Sequence, residues 1–488
     1  MTYLDLNIEE IHKKLKSGEI TSQELIQEAI KKAEQYQEKY NSFVTILKEF
    51  PEVKDFSNPL AGIPYAVKDN FSTKGVLSTA ASNILKDYVP VYDATVISKL
   101  KEKQAIMIGK TVLDELAMGG SGTTGHTGIV RNPWDENRHI GGSSAGSATS
   151  VALGIVPYAL GSDTGDSIRK PAAFGGVVGY KPTYGRISRY GLFPFASSLD
   201  HVGCFTRCVK DTAYVIDALK GEDIKDMTTL PNENINYVDG LEKSVVGRKL
   251  FYFKEMIDIE TTDVELKSVL DNFKETISKI KELGIEVESV SFDKQLLNAI
   301  FPTYFIISCA EATSNNANLT GILFGPRDNT NNINEMMFNA RTKGFSELIK
   351  RRFVIGSYVL QKENQEKLFL NACRVRRLIV EKMNRLFEKY DGLILPSSGG
   401  IAPLFDEDLD KLSERYLMLE NHMAIGNFGG YPSITLPCGF INKMPIGINI
   451  TGPAKKDQDV LNISYQIEKQ LGYKNINAVR GAEKWNIK

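Results

Sequence analysis

Short apolar runs and helical stripes alternate over residues 61–220, and this alternation predicts the fold class. The apolar run at 61–67 is followed by a helical stripe at 94–103 and by further apolar runs at 105–109 and 155–160. Strands that alternate with helices in this way are typical of βαβ units and of a largely parallel sheet. We therefore expect an α/β core over residues 61–220.

The same pattern divides the rest of the chain into three further segments. Residues 1–60 are helical in pattern, with a capping box at Thr21–Glu24, and should pack on the core. Residues 221–390 carry charged amphipathic helices and are expected to form an added helical lobe that contributes to the substrate pocket. Residues 391–488 should complete the core with a helix and with strands at 392–396, 433–437 and 445–450.

The composition narrows the functional classes. The 488 residues carry 59 basic and 60 acidic side chains, so no overall charge would attract nucleic acid non-specifically. Five scattered cysteines without metal-ligand spacing indicate reduced thiols, a cytoplasmic protein and no metal site. The N-terminus lacks an apolar signal segment, and no uninterrupted run of about twenty apolar residues predicts a membrane span.

Candidate chemistry is concentrated between Gly141 and Thr183, a stretch rich in Gly, Ala and Ser. Small side chains let backbone segments approach each other and a ligand closely. The stretch carries a serine pair at 143–144, and Ser167 follows the predicted strand at 155–160. Open α/β sheets bind ligands at the carboxyl ends of their strands, so Ser167 lies where a site is expected.

Two short serine motifs in this stretch have low specificity. Residues 142–146 match the GxSxG elbow of α/β-hydrolases, with Ser144 as nucleophile, but neither of the two later histidines has the context that this template needs. Residues 167–170 match the SxxK motif of β-lactamases, and the companion motifs do not occur in the sequence. Both patterns arise readily in a segment rich in Gly and Ser.

Two other features have both a functional and an ordinary explanation. Lys68 closes the apolar run at 61–67, where an ammonium group is costly to desolvate, and it either has a role there or extends to the surface. The glycine-rich loop at 119–133 is long for a connector, and it either lines a site or is a plain surface loop. Neither feature decides the function alone.

Three longer segments are more specific, and together they resemble the amidase signature family. Residues 67–70 (VKDN), 141–147 (GGSSAGS) and 163–173 (DTGDSIRKPAA) follow the order and spacing of that family's motifs. The resemblance implies an α/β fold with a central mixed, largely parallel twisted sheet, helices on both faces and an added helical lobe. It also implies hydrolysis of carboxamides without a metal ion or an organic cofactor.

The resemblance further implies a Ser–cis-Ser–Lys triad, with Ser167 as nucleophile, Ser143 as proton relay and Lys68 as base. The chemistry is coherent, because a serine hydroxyl needs a proton acceptor and a buried lysine can rest neutral. The oxyanion would be held by the backbone N–H groups of Thr164, Gly165, Asp166 and Ser167.

Within the family, the chain is most similar to the glutamine-hydrolysing subunits of tRNA-dependent amidotransferases. The segments 188–200, 304–314 and 350–356 carry this likeness. It implies that ammonia from glutamine passes to a B subunit, which uses ATP and Mg²⁺ to convert Glu-tRNA(Gln) to Gln-tRNA(Gln), and that a C subunit completes a heterotrimer. The B subunit would hold most of the tRNA, in agreement with this chain's net charge of −1.

The same likeness implies a set of residues that would bind glutamine. Arg352, or its neighbour Arg351, would hold the α-carboxylate through its planar guanidinium group. Glu420 stands where the family has an aspartate for the α-amino group. The full implied set is Gly119, Gly120, Ser121, Asp163, Arg169, Tyr304, Arg352 and Glu420.

Several positions depart from the family pattern and leave two alternatives open. Asp166 stands in place of the second Gly of DTGGS, beside the nucleophile, and Ala145 replaces another Gly. Ile140 and Cys204 each stand in place of a Pro, and the loop at 119–133 lacks an acidic residue that the family's tRNA-dependent members usually carry. We expect an active but divergent enzyme; the alternatives are a stand-alone amidase and a catalytically weakened scaffold subunit.

Overall fold

The computed structural model of this protein describes residues 2–328, 330, 332–407 and 419–479. Within these residues, eleven strands form one sheet. In chain order the strands are β1 Phe43–Ile46, β2 Pro64–Lys68, β3 Ile106–Thr111, β4 Tyr158–Asp163, β5 Val178–Lys181, β6 His201–Thr206, β7 Lys249–Phe253, β8 Glu286–Val290, β9 Gly392–Pro396, β10 Ser433–Ile441 and β11 Met444–Thr451. Their spatial order is β1–β3–β2–β4–β6–β5–β10–β11–β9–β7–β8.

The sheet is mixed, as predicted. The strands β3, β2 and β4 run parallel in one part of the sheet, and β9, β7 and β8 run parallel at one end. The six other neighbouring pairs of the described strands are antiparallel. This antiparallel share is larger than the pattern predicts, because β5 and β6, and likewise β10 and β11, are joined without a crossover helix.

Helices and loops cover both faces of the central strands. The strands β2, β4, β5, β6 and β9 are buried at every residue, which requires cover on both sides. The helices are α1 Ile8–Ser17, α2 Ser22–Tyr40, α3 Thr95–Glu102, α4 Ala145–Ala152, α5 Arg169–Gly175, α6 Val209–Leu219, α7 Lys254–Ile257, α8 Val264–Lys281, α9 Lys294–Asn298, α10 Ile300–Asn315, α11 Ile333–Gly344, α12 Glu347–Leu360, α13 Lys362–Gln365, α14 Asn371–Phe387, α15 Ala424–Phe428 and α16 Asp457–Leu471.

The N-terminal helices begin as the sequence predicts. The Glu24 N–H donates to Thr21 Oγ1 at 3.2 Å, and the Thr21 N–H donates to the Glu24 carboxylate at 2.9 Å, which forms the predicted capping box of α2. The chain departs from the helical pattern at β1, which pairs antiparallel with β3 at the edge of the sheet. Asn41, in the left-handed conformation with φ 50°, ends α2 and redirects the chain into this strand.

The segment 221–390 contributes strands to the sheet as well as helices, because β7 and β8 lie within it. Its helix α10 packs against α12 and α14. In the described part of the chain, one helical segment, Lys294–Asn315, is long and apolar enough to span a membrane by length and composition. A helix packed inside a protein passes the same test, so this segment is only weak support for a membrane span.

Candidate active site

Lys68 is the last residue of β2, and its side chain is fully buried. Its Nζ lies 2.7 Å from Ser143 Oγ, 2.9 Å from Ser162 Oγ and 3.3 Å from the Ser162 carbonyl oxygen. Among the described residues Lys68 makes no ion pair, whereas Lys110, equally buried, has Asp69 at 3.4 Å. Lys68 therefore does not extend to the surface, and its amine faces hydroxyl and carbonyl groups.

The surroundings of Lys68 favour its neutral form. Burial lowers the pKa of Lys68 to about 7, and the charges of Asp114, Asp163 and Asp200 oppose this shift only in part. A neutral amine has one lone pair and two N–H donors. It can donate to its two other oxygen partners and accept a proton from the Ser143 hydroxyl, which is the arrangement that a general base requires.

Ser143 precedes α4 and follows a cis peptide bond from Gly142. Its carbonyl oxygen accepts a hydrogen bond from the Asp114 N–H at 3.2 Å. A Cβ atom on Gly142 would lie 1.9 Å from an Asp114 carboxylate oxygen, so only glycine allows this close approach. The backbone around Ser143 is thus held against the segment that contains Asp114.

Ser167 lies in the turn between β4 and α5 and is buried. Its carbonyl oxygen accepts a hydrogen bond from the Ser144 N–H at 3.2 Å. This bond ties the turn to the residue beside Ser143, whose hydroxyl contacts Lys68. The structure therefore brings the segments of all three predicted triad residues together at the ends of β2 and β4.

The turn at Ser167 offers backbone donors. Within the described residues, the N–H groups of residues 164–167 have no protein acceptor. Such donors beside a serine nucleophile suit the negative charge that develops on a carbonyl oxygen under attack. Asp166 is not among the described non-glycine residues with a positive φ, so its side chain does not strain the turn.

Two buried carboxylates hold this turn. Asp163 accepts hydrogen bonds from the Ile168 N–H at 2.9 Å and from two nitrogens of Arg169 at 2.8 and 3.1 Å. Burial acts to raise the pKa of Asp163, but Arg169 and other donors hold that pKa below its ordinary value. Asp200 accepts a hydrogen bond from the Thr164 hydroxyl at 2.6 Å. Both ends of the turn are therefore anchored.

Arg169 uses its guanidinium group within the protein. Besides Asp163, it donates to the carbonyl oxygens of Gly165 at 2.8 Å and Met423 at 2.7 Å, and to Asn427 Oδ1 at 2.7 Å. The side chain is fully buried. The family likeness predicts that Asp163 and Arg169 bind substrate, whereas in the structure their contacts shape the turn that carries Ser167.

Asp114 is a residue of this site that the motifs did not indicate. Its carboxylate accepts hydrogen bonds at 3.0 to 3.2 Å from four consecutive backbone N–H groups, those of Ser121, Gly122, Thr123 and Thr124. It thus fastens the glycine-rich loop to the segment of Ser143. The available signal was a pair of acidic residues, Asp114 and Glu115, within the otherwise apolar stretch 112–118, which parallels the charged residue Lys68 at the end of its apolar run.

The predicted substrate residues of this loop lie at its start. Gly120 is exposed, whereas Gly119 and Ser121 are half-buried. Ser121 donates its N–H to Asp114, and its hydroxyl is hydrogen-bonded to the Thr123 hydroxyl at 2.7 Å. Hydrogen bonds within the protein therefore hold the loop in one conformation, which suits a loop that lines a site.

Tyr304, on α10, packs against the turn that carries Ser167. A Cβ atom on Gly165 would lie 2.9 Å from the Tyr304 ring, so glycine is required at this contact. Burial raises the pKa of Tyr304; Arg352 opposes the rise and Asp166 adds to it. Both charges therefore lie near the phenol.

Arg352, on α12, is half-buried and carries an unmatched charge. Its guanidinium carbon lies 5.1 Å from the centre of the Phe305 ring and 5.7 Å from that of Phe195. Among the described residues its Nε has no hydrogen-bond partner, and no carboxylate lies within ion-pair distance. Arg351 is exposed. The burial and contacts favour Arg352 over Arg351 as a ligand for an anion.

Glu420 is engaged by a lysine. Lys170 Nζ lies 2.5 Å from Glu420 Oε2 and also donates to the backbone carbonyl oxygen of Glu420 at 2.8 Å. The other carboxylate oxygen accepts from the Gly399 N–H at 2.6 Å.

Asp166 lies 4.0 Å from Lys170, and its side chain is 28% exposed. Burial raises the pKa of Asp166 to about 6 against the charge of Lys170, so this carboxylate is ionised at pH 7.

The serine-elbow alternative finds no support in these contacts. The Ser144 hydroxyl donates to the Ser162 carbonyl oxygen at 3.0 Å. His201 and His422 are each hydrogen-bonded through Nδ1 to a backbone carbonyl two or three residues away.

Within the described residues, no group of three or more His, Cys, Asp or Glu side chains is arranged to hold a metal ion.

Known proteins match this chain over most of its length. A family model described as "Amidase" matches residues 24–461. The A subunit of the glutamyl-tRNA(Gln) amidotransferase of Streptococcus pneumoniae is 39% identical over 97% of this chain and 98% of its own length. The corresponding A subunit from Lactobacillus johnsonii is 39% identical over 96% of this chain and 97% of its own length.

A solved structure agrees with these relatives. The crystal structure of the A subunit of the glutamyl-tRNA(Gln) amidotransferase from Thermotoga maritima superposes with a TM-score of 0.81 and is 34% identical. The match covers 96% of this chain and 95% of that one. The likeness therefore extends over nearly the whole fold rather than over the motif segments alone.

Proposed function

Because this chain belongs to the amidase family, we propose that it is the glutamine-hydrolysing subunit of a tRNA-dependent amidotransferase. The observation that carries this proposal is its likeness to amidotransferase A subunits over nearly the full length of both chains. The contact between Lys68 and Ser143, and the lowered pKa of Lys68, favour an active enzyme over a weakened scaffold.

The proposed reaction uses three side chains and one turn. Ser167 Oγ attacks the side-chain amide carbon of glutamine, while Ser143 takes the Ser167 proton and passes its own proton to neutral Lys68. The tetrahedral oxyanion is stabilised by the backbone N–H groups of residues 164–167. The proton returns from Lys68 through Ser143 to the leaving nitrogen, and ammonia departs. Water then hydrolyses the glutamyl ester of Ser167 by the same proton route.

Binding of glutamine is proposed to rest on the helical segment 221–390. Arg352 would hold the α-carboxylate, because its guanidinium group is half-buried beside two aromatic rings and has no carboxylate partner in the described part of the chain. Tyr304 would form the wall of the pocket next to the nucleophile. These two contacts support the predicted contribution of this segment to the substrate pocket.

The wider assembly is also proposed. Ammonia would pass to a B subunit that uses ATP and Mg²⁺ to amidate Glu-tRNA(Gln) and makes most of the tRNA contacts, while a C subunit completes the complex. The chain's near-neutral charge and its unpaired cysteines agree with this role and with a cytoplasmic location. The amidase step itself would need no cofactor, because Lys68, Ser143 and Ser167 supply its proton transfers and nucleophile.

The test of this function is ammonia release from glutamine, measured with the isolated chain and with the chain mixed with candidate B and C subunits. We expect slow release alone and faster release with both partners, ATP and Glu-tRNA(Gln). Turnover of simple aliphatic or aryl amides but not of glutamine would instead make this a stand-alone amidase. No release by the full complex would support the scaffold alternative.

Replacing Arg352 by methionine should raise the KM for glutamine about 10- to 100-fold, because a charge-assisted hydrogen bond contributes about 1.5 to 3 kcal/mol. Arg351→Met is the matched control, since Arg351 is the adjacent residue and is exposed. Steady-state kinetics of both variants check this. Equal effects of the two substitutions would contradict the assignment of Arg352.

A further inference from the structure

Asp166 places a carboxylate in the turn that supplies the nucleophile. It lies between Gly165 and Ser167, where the family pattern has a glycine. The backbone at Asp166 does not have a positive φ, so the side chain causes no backbone strain. Any effect of this residue on the reaction therefore comes from its charge. A negative charge so close to a developing oxyanion opposes catalysis unless a cation neutralises it.

The neighbouring lysine neutralises Asp166 only in part. Lys170 donates both to the Glu420 carboxylate and to the Glu420 carbonyl oxygen, and it is 4.0 Å from Asp166. The charges of Lys170 and Glu420 therefore compensate each other across a distance of 2.5 Å. Asp166 is the more exposed carboxylate of this cluster, with its side chain 28% exposed against 18% for Glu420.

An opposite charge, that of Arg352, lies near the same tyrosine as Asp166. Arg352 and Asp166 both act on the pKa of Tyr304, whose ring packs against Gly165. Arg352 has no carboxylate within ion-pair distance among the described residues. The surroundings of Tyr304 thus hold one cation without a carboxylate partner and one weakly matched anion. A zwitterionic amino acid carries the complementary pair of charges.

We infer that Asp166 binds the α-ammonium group of the amino-acid substrate while Arg352 binds its α-carboxylate. This inference rests on the proposed function. Asp166 immediately precedes Ser167, and consecutive Cα atoms are about 3.8 Å apart, so its carboxylate belongs to the same turn as the attacking hydroxyl. Glu420, held by Lys170 and Gly399, then positions Lys170 rather than contacting the substrate.

This arrangement couples recognition to catalysis. When the ammonium group is bound, the charge of Asp166 is neutralised and no longer opposes the oxyanion. An amide without an α-amino group leaves that charge uncompensated. The enzyme should therefore discriminate strongly against glutaramic acid, which is glutamine without its α-amino group.

The test compares glutamine with glutaramic acid for the wild-type enzyme and for Asp166→Asn, a substitution of the same size without the charge. We expect kcat/KM for glutamine to fall about 10- to 100-fold, mainly through KM, because a hydrogen bond between charged groups is lost. The rate with glutaramic acid should be unchanged or higher. Asp166→Gly, which restores the family's residue, should show the same dependence on the substrate.

Glu420→Gln serves as the comparison variant, because it removes the other carboxylate of the cluster. The inference would be overturned if Glu420→Gln lowered kcat/KM for glutamine alone while Asp166→Asn did not lower it. So would equal losses with both substrates in Asp166→Asn. If the wild-type enzyme and its complex hydrolyse glutamine, only this inference is then at fault; if they do not, the proposed function fails first and the inference fails with it.

Binding provides a readout that is independent of turnover. In a Ser167→Ala background, calorimetric titration with glutamine should give a Kd that rises about 10- to 100-fold when Asp166→Asn is added. The Kd for glutaramic acid should not rise. An unchanged Kd for glutamine would contradict a direct contact between Asp166 and the substrate.

Discussion

Replacing Ser167 by alanine should lower ammonia release from glutamine by about 10⁴-fold or more, because no other group at the site can form the acyl-enzyme. Ser167 lies in the turn between β4 and α5, and its carbonyl oxygen is bonded to the Ser144 N–H. The hydroxyl itself has no structural bond to lose among the described contacts, so the fold should be retained. The measurement is a coupled assay of ammonia with circular dichroism as the check on folding.

Ser150→Ala is the matched control for this prediction. Ser150 is a buried serine of α4 whose hydroxyl donates to the Ser147 carbonyl oxygen at 2.9 Å, away from Lys68 and Ser143. It should keep at least half of the activity. If Ser167→Ala retains activity within tenfold of the wild type, Ser167 is not the nucleophile.

Replacing Lys68 by methionine should lower the rate of amide hydrolysis about 10²- to 10⁴-fold, which is the usual contribution of a general base. Methionine fills a similar volume and cannot accept a proton. We expect the melting temperature to be no lower than that of the wild type, because the interior disfavours the charged form of Lys68. Lys74→Met is the control, since Lys74 is an exposed lysine a few residues further along the chain.

The pH profile gives a second readout for Lys68. Its pKa of about 7 means that the ammonium form predominates below pH 7 and cannot accept the proton of Ser143. Activity should therefore rise with pH through about 7 and level off above about pH 8. Asp166, with a pKa of about 6, would add to the loss in acid. A profile that falls between pH 6 and pH 8 would contradict the role of Lys68.

The stability of the folded protein should also rise with pH because of Lys68. Between pH 7 and the ordinary lysine pKa of 10.5, the unfolded chain binds this proton and the folded protein does not. Lys68 therefore destabilises the folded state most at neutral pH and below, and this penalty disappears as the pH rises to 10.5. Lys68→Met should remove this part of the pH dependence of the melting temperature.

Local patterns in the sequence were sufficient for much of the core. The apolar runs at 61–67 and 392–396 correspond to β2 and β9, and the stripe at 94–103 corresponds to α3. These patterns are informative because a strand buried on both faces must be apolar along its whole length, and a packed helix must be apolar on one side. The order and spacing of the three long motifs also sufficed to propose the triad.

The strands β1, β5, β6, β7 and β8 were not predicted. β1 and β8 lie at the two edges of the sheet and are only partly buried, so their apolar signal is weak. β5 and β6 contain Lys181, His201 and Thr206, whose burial depends on partners elsewhere in the chain. Strand pairing joins residues far apart in sequence, and local periodicity does not encode it.

The sequence by itself determined the fold class, the family and the residue types at the centre of the site, because apolar periodicity and long ordered motifs are local properties. Only the tertiary structure decided which charges are matched. It pairs Lys170 with Glu420 across 250 positions, encloses Asp163 with Arg169 and leaves Arg352 without a carboxylate among the described residues. These outcomes depend on which segments the sheet brings within about 4 Å of each other, since the strength of an ion pair is set by distance and burial rather than by residue type.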